Sequence, residues 1–499
     1  MSSPRRPKGR RGVGNLLEDA MRDCLEFYVA GEWVAPVGGT IVDVIDPTTE
    51  QPSGRVALGD AADADRAVAA AREAFPGYSA TSPAQRLDLL ERIAAEYESR
   101  KQDLVDALVA ELGCPVWLAE QAQVPLPAAH INVAIDVMKN YPFETPRGTS
   151  LVRRRPVGVC ALITPWNWPV SLAMTKLVPA LAVGCTVVWK PSEFAPYSAR
   201  VMAEIFAAAG VPAGAFNMVF GEGPTVGAAL SAHPDVDAVS ITGSTRAGVE
   251  VARNAAATVK RVHQELGGKS PNVILEDADL HKAVSAGVRY MFINSGQTCS
   301  VPSRMLVPRS RHAEAVAVAK QTAEELQAGP PDSGAFLGPV VNSAQWQRVQ
   351  ALIQKGIDEG ATLVVGGAGK PEGLERGYYV RPTVFADVRN DMTIAREEIF
   401  GPVLAILPYD DDEDAIRIAN DTPYGLAAYV HAGTIEKARE VGARIRAGQI
   451  NLNGDLDLLD PYTPFGGCKM SGNGREWGAF GFDAFVEEVS FVGYQPADG

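Results

Sequence analysis

The chain has 499 residues, more than one hydrophobic core supports, so two to four units of roughly 100–200 residues are expected. With 46% hydrophobic and 21% charged residues it reads as an ordinary globular chain, and no apolar run approaches the roughly 20 residues of a membrane span. The net charge of −14 argues against a nucleic-acid partner.

The first elements stand apart from the rest. Ser2 to Gly14 carries Arg5, Arg6, Lys8, Arg10 and Arg11 without an acidic residue. Asn15–Met21 reads as a short amphipathic helix, and no apolar run follows to make a secretory signal. A transit peptide, a partner-docking tail and a disordered extension all fit 1–24, and the extension is the reading expected here. Tyr28–Val34 and Thr40–Val44 read as short strands around a Gly-Gly turn. Asp63–Phe75, Ala84–Glu111 and Ala128–Met138 have helical spacing.

From Val157 the pattern changes. Val157–Ile163, Thr186–Trp189, Phe216–Val219 and Ala238–Ile241 are short apolar runs, as buried parallel strands should be. Helical stretches over Leu172–Val183, Ser198–Ala209 and Gly223–Leu230 separate them. Such alternation predicts a doubly wound sheet. Gly221, Gly223 and Gly227 are one residue too widely spaced for the usual dinucleotide fingerprint. After Gly267 a second α/β unit begins. Its helices are expected at Leu280–Phe292, His312–Leu326 and Ser343–Glu359, with strands at Met305–Val307, Thr362–Val365 and Val403–Leu407. Pattern alone does not place Tyr141–Val152, Arg153–Arg155 or Phe485–Tyr494.

Two runs carry chemistry. Phe292-Ile-Asn-Ser-Gly-Gln-Thr-Cys299-Ser300 and Glu265-Leu-Gly-Gly-Lys-Ser-Pro271 supply a sulfur nucleophile and a carboxylate to serve as its base or to activate a water. Cys299 taken alone reads as a small buried hydrophobe, but a core strand would not spell Ser-Gly-Gln-Thr. The six cysteines are scattered without a CxxC and the six histidines are isolated, so no metal site is expected. A free thiol nucleophile suits a reducing cytoplasm.

These runs resemble the signatures of the aldehyde dehydrogenase superfamily. So do Thr164-Pro-Trp-Asn-Trp-Pro169, Lys190-Pro-Ser-Glu193, Thr242-Gly-Ser-Thr245, Glu397-Glu-Ile-Phe-Gly-Pro402, Pro464-Phe-Gly-Gly467 and Lys469-Met-Ser-Gly472. The match keeps the family's order from about Phe27 to the C-terminus. The fold class it implies is α/β. A Rossmann-type NAD-binding domain would span 25–138 and 154–266, and a catalytic domain 267–480. A small β oligomerisation element, 139–153 and 481–499, would make a homodimer or homotetramer. The family binds its cofactor without the usual glycine fingerprint.

The resemblance implies oxidation of an aldehyde through a Cys299 thiohemiacetal and thioester. Asn167 with the Cys299 N–H would hold the oxyanion, and Glu265 would activate water. Lys176 and Glu476 match positions linked to a proton relay, a solvated surface pair being the alternative. NAD would meet Ile163, Thr164, Pro165 and Trp166, then Lys190, Ser192 and Glu193, and then Gly223 and Gly227. Thr242, Gly243 and Ser244 would meet the pyrophosphate, with Leu266, Gly267, Glu398 and Phe400 nearer the nicotinamide. Glu193 disfavours a 2′-phosphate and so tilts the choice from NADP to NAD.

Trp168, Met174, Thr298, Ser300 and Phe465 would line the substrate pocket, which suits an aromatic or medium aliphatic aldehyde. Cys468, Thr175 and the acidic Asn453–Asp457 loop depart from the family pattern and leave the substrate open. A CoA-acylating relative and a catalytically silent relative are the rival readings, the first typically lacking the glutamate that Glu265 provides.

Overall fold

The computed structural model describes residues 22–454 and 460–494. The basic arm, the helix expected at Asn15–Met21, and Asp455 and Asp457 lie outside the described residues.

Two seven-stranded sheets form the frame. The first runs in the order Arg261–Leu266, Ala238–Gly243, Val159–Ile163, Thr186–Lys190, Phe216–Met218, Phe27–Val29, Glu32–Val34. Its first five strands are parallel and its last two antiparallel. The chain fills one side of Val159–Ile163 first and then crosses to the other with Ala238–Gly243. The reversal opens a crevice beyond the carboxyl ends of these two strands, where doubly wound sheets bind ligands.

The second sheet runs Thr362–Val365, Thr383–Ala386, Val403–Tyr409, Arg304–Pro308, Pro271–Ile274, Ala427–His431, Gln449–Leu452. Only its edge pair Thr362–Val365 and Thr383–Ala386 is antiparallel. Two three-stranded sheets complete the set: Arg22–Cys24 with Gln51–Leu58 and Thr40–Asp46, and Val486–Phe491 with Ser150–Pro156 and Glu144–Arg147. Arg261–Leu266 leads through Gly267 and Gly268 directly into Pro271–Ile274, so one short loop joins the two large sheets.

Several elements differ from the sequence expectation. Ala84–Glu111 is two helices, Pro83–Ser99 and Lys101–Leu112. Arg100 leaves the helical region (φ −108°, ψ 12°), with its guanidinium bound to Asp103 and, at 2.9 Å, to Glu204. The strand expected from Val157 begins at Val159, because Gly158 turns the chain at φ +135°. A side chain there would run into the Asp237 carboxylate. Gly223–Leu230 opens as one wide π-turn, Gly223–Gly227, before Ala228–Ala232. Five strands of the two large sheets escaped the pattern: Arg261–Leu266, Pro271–Ile274, Thr383–Ala386, Ala427–His431 and Gln449–Leu452.

Two features pin the frame. Every residue of the helix Pro169–Val183 is buried, Lys176 included. Arg304, 0% exposed, opens the strand that follows the nucleophile loop. It donates to Lys269 O (3.1 Å), Ile418 O and Ala419 O (both 2.9 Å) and Asn390 Oδ1 (3.1 Å). This one guanidinium ties the loop after Glu265 to the strand after Cys299. Replacing it by methionine strands three buried carbonyls, at about 1 kcal/mol or more apiece. Urea unfolding is therefore expected to show Arg304→Met destabilised by about 3 kcal/mol or more. Arg309→Met, on the exposed Arg309–Asp410 pair of the same sheet, should lose less than about 1 kcal/mol.

Candidate functional site

The helix Leu280–Phe292 stops at a turn in which Asn294 (φ 51°), Ser295 (φ 56°) and Gly296 (φ 74°) are all left-handed. Such a run is strained for ordinary residues and persists only where neighbours over-determine it. Ser295 Oγ donates to Gly338 O at 2.7 Å and Val341 N to Gln297 Oε1 at 2.9 Å. Asn294 Nδ2 donates to Asn167 O at 2.8 Å. Gly296 is obligatory, since a Cβ there would lie 2.2 Å from Gly401 O. The turn delivers Cys299, half-buried, against Leu426, Phe465 and Trp477.

Glu265 sits near the end of Arg261–Leu266 and is 0% exposed, with neither carboxylate oxygen hydrogen-bonded. It is therefore no exposed charge at a strand end, the usual place of a glutamate. Burial, and then the charge of Glu476, push its pKa well above the carboxylate range, with Lys176 pulling the other way. The Cys299 thiol is likewise pushed well up, by burial first and then by Glu265 and Glu398. Both groups therefore hold their protons more tightly than in water.

Asn167 is buried, and its Nδ2 donates to Gln297 O at 3.0 Å. That contact anchors the amide on the nucleophile's own loop and leaves its second N–H to give. Gln123 Nε2 adds a third tie, donating to Asn167 O at 3.0 Å. Lys176 and Glu476 form a buried ion pair rather than a solvated one, and Thr175 Oγ1 donates to the other Glu476 oxygen at 2.9 Å. Glu476 is held in place by paired backbone hydrogen bonds with Phe465.

The crevice of the first sheet gathers most of the expected cofactor residues. Ile163, Thr164, Pro165 and Trp166 end one strand, and Thr242, Gly243 and Ser244 end its neighbour. Ser244 caps the helix Thr245–Ala255 by accepting from Ala247 N at 3.2 Å, which leaves other first-turn N–H groups facing outward. Thr242 Oγ1 is buried without a partner. Lys190 Nζ donates to Gly221 O (2.5 Å) and Pro191 O (3.0 Å) and lies 3.5 Å from Glu193 Oε2. Ser192 accepts from Phe194 N at 3.2 Å. Gly227 faces Lys190 and Ile163, whereas Gly223 is exposed at the rim.

Glu398 packs on Gly267 and accepts from Gly268 N at 3.1 Å, with burial pushing its carboxyl up to about 7. Phe400 meets Trp166 edge to face at 5.5 Å. Leu266 packs under Gly248 in the helix Thr245–Ala255. An N–H-rich helix start, an unpaired Thr242 hydroxyl and two glycines for close approach fit a dinucleotide.

A cavity of about 590 Å³ reaches Cys299. Ala122, Pro125, Leu126 and Ala129 form one wall, and Trp168, Ser171 and Leu172 another. Tyr290 and Ile293 come from the helix end and the turn before the nucleophile, with Thr298, Ser300, Phe465 and Trp477 closing the rest. Of the five expected pocket residues, Met174 is misplaced. It is fully buried in the core, about 160° around its helix from Leu172, although within about 60° of Ser171 at the edge of the wall. Tyr290, Leu172, Leu126 and Trp477 were not foreseen. Tyr290 was within reach, standing just one turn before Ile293 in the run leading to Cys299. Among the described residues no group of three His, Cys, Asp or Glu side chains is placed to hold a metal ion.

Comparison with known proteins agrees with this geometry. The aldehyde dehydrogenase family model matches residues 33–491. The 3-succinoylsemialdehyde-pyridine dehydrogenase of a Pseudomonas species is 51% identical over 477 residues, covering 95% of this chain and 100% of its own. A mutant of aldehyde dehydrogenase C from Pseudomonas syringae, solved with NAD+ and octanal, is 52% identical with a TM-score of 0.93, covering 95% of this chain and 98% of its own. An aldehyde dehydrogenase of Mycobacterium tuberculosis, solved with NAD+, is 41% identical with a TM-score of 0.92, covering 95% and 99%.

The charge around the thiol can be measured without substrate. Alkylation of Cys299 by iodoacetamide is expected to rise only above the pH range of a free cysteine. In Glu265→Gln one repelling carboxylate is gone, so the midpoint should move to lower pH while burial keeps it above the free-thiol value. A midpoint that moves up would show Glu265 serving as the thiol's base instead.

Proposed function

The chain belongs to the aldehyde dehydrogenase family, and on that premise we propose that it oxidises an aldehyde to a carboxylic acid with NAD, using Cys299 as nucleophile. The observation that carries this reading is a thiol at the end of a mostly apolar cavity, with a buried, unpaired carboxylate near enough to repel its charge.

The Cys299 sulfur gives its proton to water and adds to the carbonyl carbon, whose C=O π electrons move to oxygen, forming a thiohemiacetal anion. The oxyanion is met by the free N–H of Asn167 and the backbone N–H of Cys299. Bound here, a nicotinamide would supply hydride acceptance, the oxidising chemistry that a thioester product requires. Glu265, whose proton affinity burial has raised, then takes a proton from water as that water attacks the thioester. The acid leaves and the thiol is restored. Behind Glu265, Glu476 raises its proton affinity and Lys176 lowers it. Thr242, Gly243 and Ser244 hold the pyrophosphate, Lys190 and Glu193 the adenine ribose, and Glu398 and Phe400 the nicotinamide end. The carboxylate of Glu193 disfavours the extra phosphate of NADP.

The described residues lining the cavity carry no charge, so the substrate is a neutral aromatic or medium-chain aliphatic aldehyde. The antiparallel sheet of Glu144–Arg147, Ser150–Pro156 and Val486–Phe491, with Val492 87% exposed beside it, supports docking of a second copy as a homodimer or homotetramer. A thiol nucleophile that must stay reduced supports a cytoplasmic location.

Reduction of NAD by the purified protein, followed across a panel of aldehydes without CoA, tests the reading. Turnover is expected to vanish in Cys299→Ala, to fall about 10²–10³-fold in kcat in Asn167→Ala, and to stall in Glu265→Gln as an acyl adduct visible by intact mass. Dependence on CoA would establish the acylating reaction instead. Octanal should exceed succinate semialdehyde in kcat/KM by about a hundredfold, because the described wall offers a carboxylate no cation.

A further inference from the structure

We infer that Trp477 is a positioning residue for the base: its ring clamps Phe465, and the clamp keeps Glu476 on Lys176, so that Lys176 does not turn to Glu265. This rests on Glu265 being the base of the proposed reaction, and it names what holds that base unpaired.

Trp477 occupies a backbone that suits another residue. Its φ of 71° and ψ of 154° lie in a region taken almost only by glycine. Glycine would adopt this conformation without strain, so the benefit of tryptophan has to lie in its ring. The ring stacks on Phe465, with centroids 4.6 Å apart and planes at 16°, and His130 packs on it at 5.0 Å. The backbone of Phe465 in turn brackets Glu476. Phe465 N donates to Glu476 O at 3.0 Å, and Glu476 N donates to Phe465 O at 2.7 Å. Glu476, Trp477 and Phe465 therefore close a circuit of one peptide bond, one ring stack and one hydrogen-bonded pair.

Lys176 is 0% exposed, so an ammonium that lost Glu476 could not turn to water and would need another anion. Glu265 is on offer, with both oxygens unpaired and near enough to feel the charge of the lysine. No other cation competes. Arg475 is bound to the Gly467 and Gly474 carbonyls. Burial lowers His263 and takes His130 down to about 4, so both histidines beside Glu476 are neutral at pH 7. Glu398 repels Glu265, and Cys299 carries no charge once acylated. Pairing with Lys176 would lower the proton affinity of Glu265. Its carboxylate would then persist to lower pH but draw a proton from water less strongly.

The test follows hydrolysis of the acyl adduct against pH, by rapid quench and intact mass, in wild type, Trp477→Gly, Trp477→Phe and Glu476→Gln. In Trp477→Gly the acid midpoint of hydrolysis should fall by about one pH unit or more, the effect of a newly paired cation, and the plateau rate should fall with it. Glu476→Gln should show the same shift, and adding Trp477→Gly to it should move the midpoint no further. Trp477→Phe keeps a ring and should stay near wild type. Should Trp477→Gly fail to fold, Phe465→Leu removes the other half of the stack and should repeat the shift. An unmoved midpoint in the ring-deleted variant, or a further shift in the double variant, overturns the inference and leaves aldehyde oxidation intact. If the wild type forms no acyl adduct with any aldehyde and NAD, the oxidation reading falls and the inference falls with it.

Discussion

The whole site depends on a carboxylate kept dry and unpaired. Glu265 is fully buried with no hydrogen bond to either oxygen. A lone buried carboxylate costs several kcal/mol as an anion, and proteins avoid that by letting it hold a proton. The nearby charges do not relieve it. Glu476 and Glu398 push against Glu265, while Lys176 and Arg475 pull. Yet Lys176 is committed to Glu476, and Arg475 to the carbonyls of Gly467 and Gly474. Glu265 thus binds a proton more tightly than a surface glutamate does, which suits the role of base proposed for it. The structure sustains this strain on a wholly buried helix, Pro169–Val183, and on Arg304, which staples the two loops together.

The nucleophile is positioned by a different device. Three consecutive left-handed residues aim Cys299, and side chains rather than regular structure hold them there. Asn167 joins the two tasks. Its side chain reaches Gln297 O and its carbonyl receives Asn294 and Gln123, so the proposed oxyanion donor is built into the same lattice as the thiol's turn. Gly268 serves closeness, not flexibility: a Cβ there would come within 2.6 Å of Cys299 O.

Much of this was legible in the sequence for a physical reason. Val159–Ile163 and Thr186–Lys190 are buried on both faces and read as continuous apolar runs. The loops at their ends contain residues whose chemistry has no other use there. Arg261–Leu266 was not legible, because polar side chains alternate along it and find partners far away. His263 reaches Ser240 and Arg475 O, and Gln264 reaches Gly248 O. The depth of Lys176 and Glu476 was hidden likewise, since the pair closes across 300 residues. Met174 was misassigned because adjacency to the motif is linear, whereas the pocket selects one face of a helix.

Chemistry and specificity are drawn from different parts of the chain. The thiol, the carboxylate and the proposed oxyanion donor lie on or beside short loops, and side-chain hydrogen bonds to the backbone hold the thiol's turn and Asn167. Most of the cavity wall comes from side chains on helices and turns, such as Leu126, Leu172 and Ile293, whose only obligation is to be apolar and to fit. Such a wall can change without disturbing the reacting groups, so family motifs identify the reaction and leave the aldehyde open. Thr298 and Ser300 are the exception. They flank Cys299 on the loop that carries the reaction, yet their hydroxyls line the cavity.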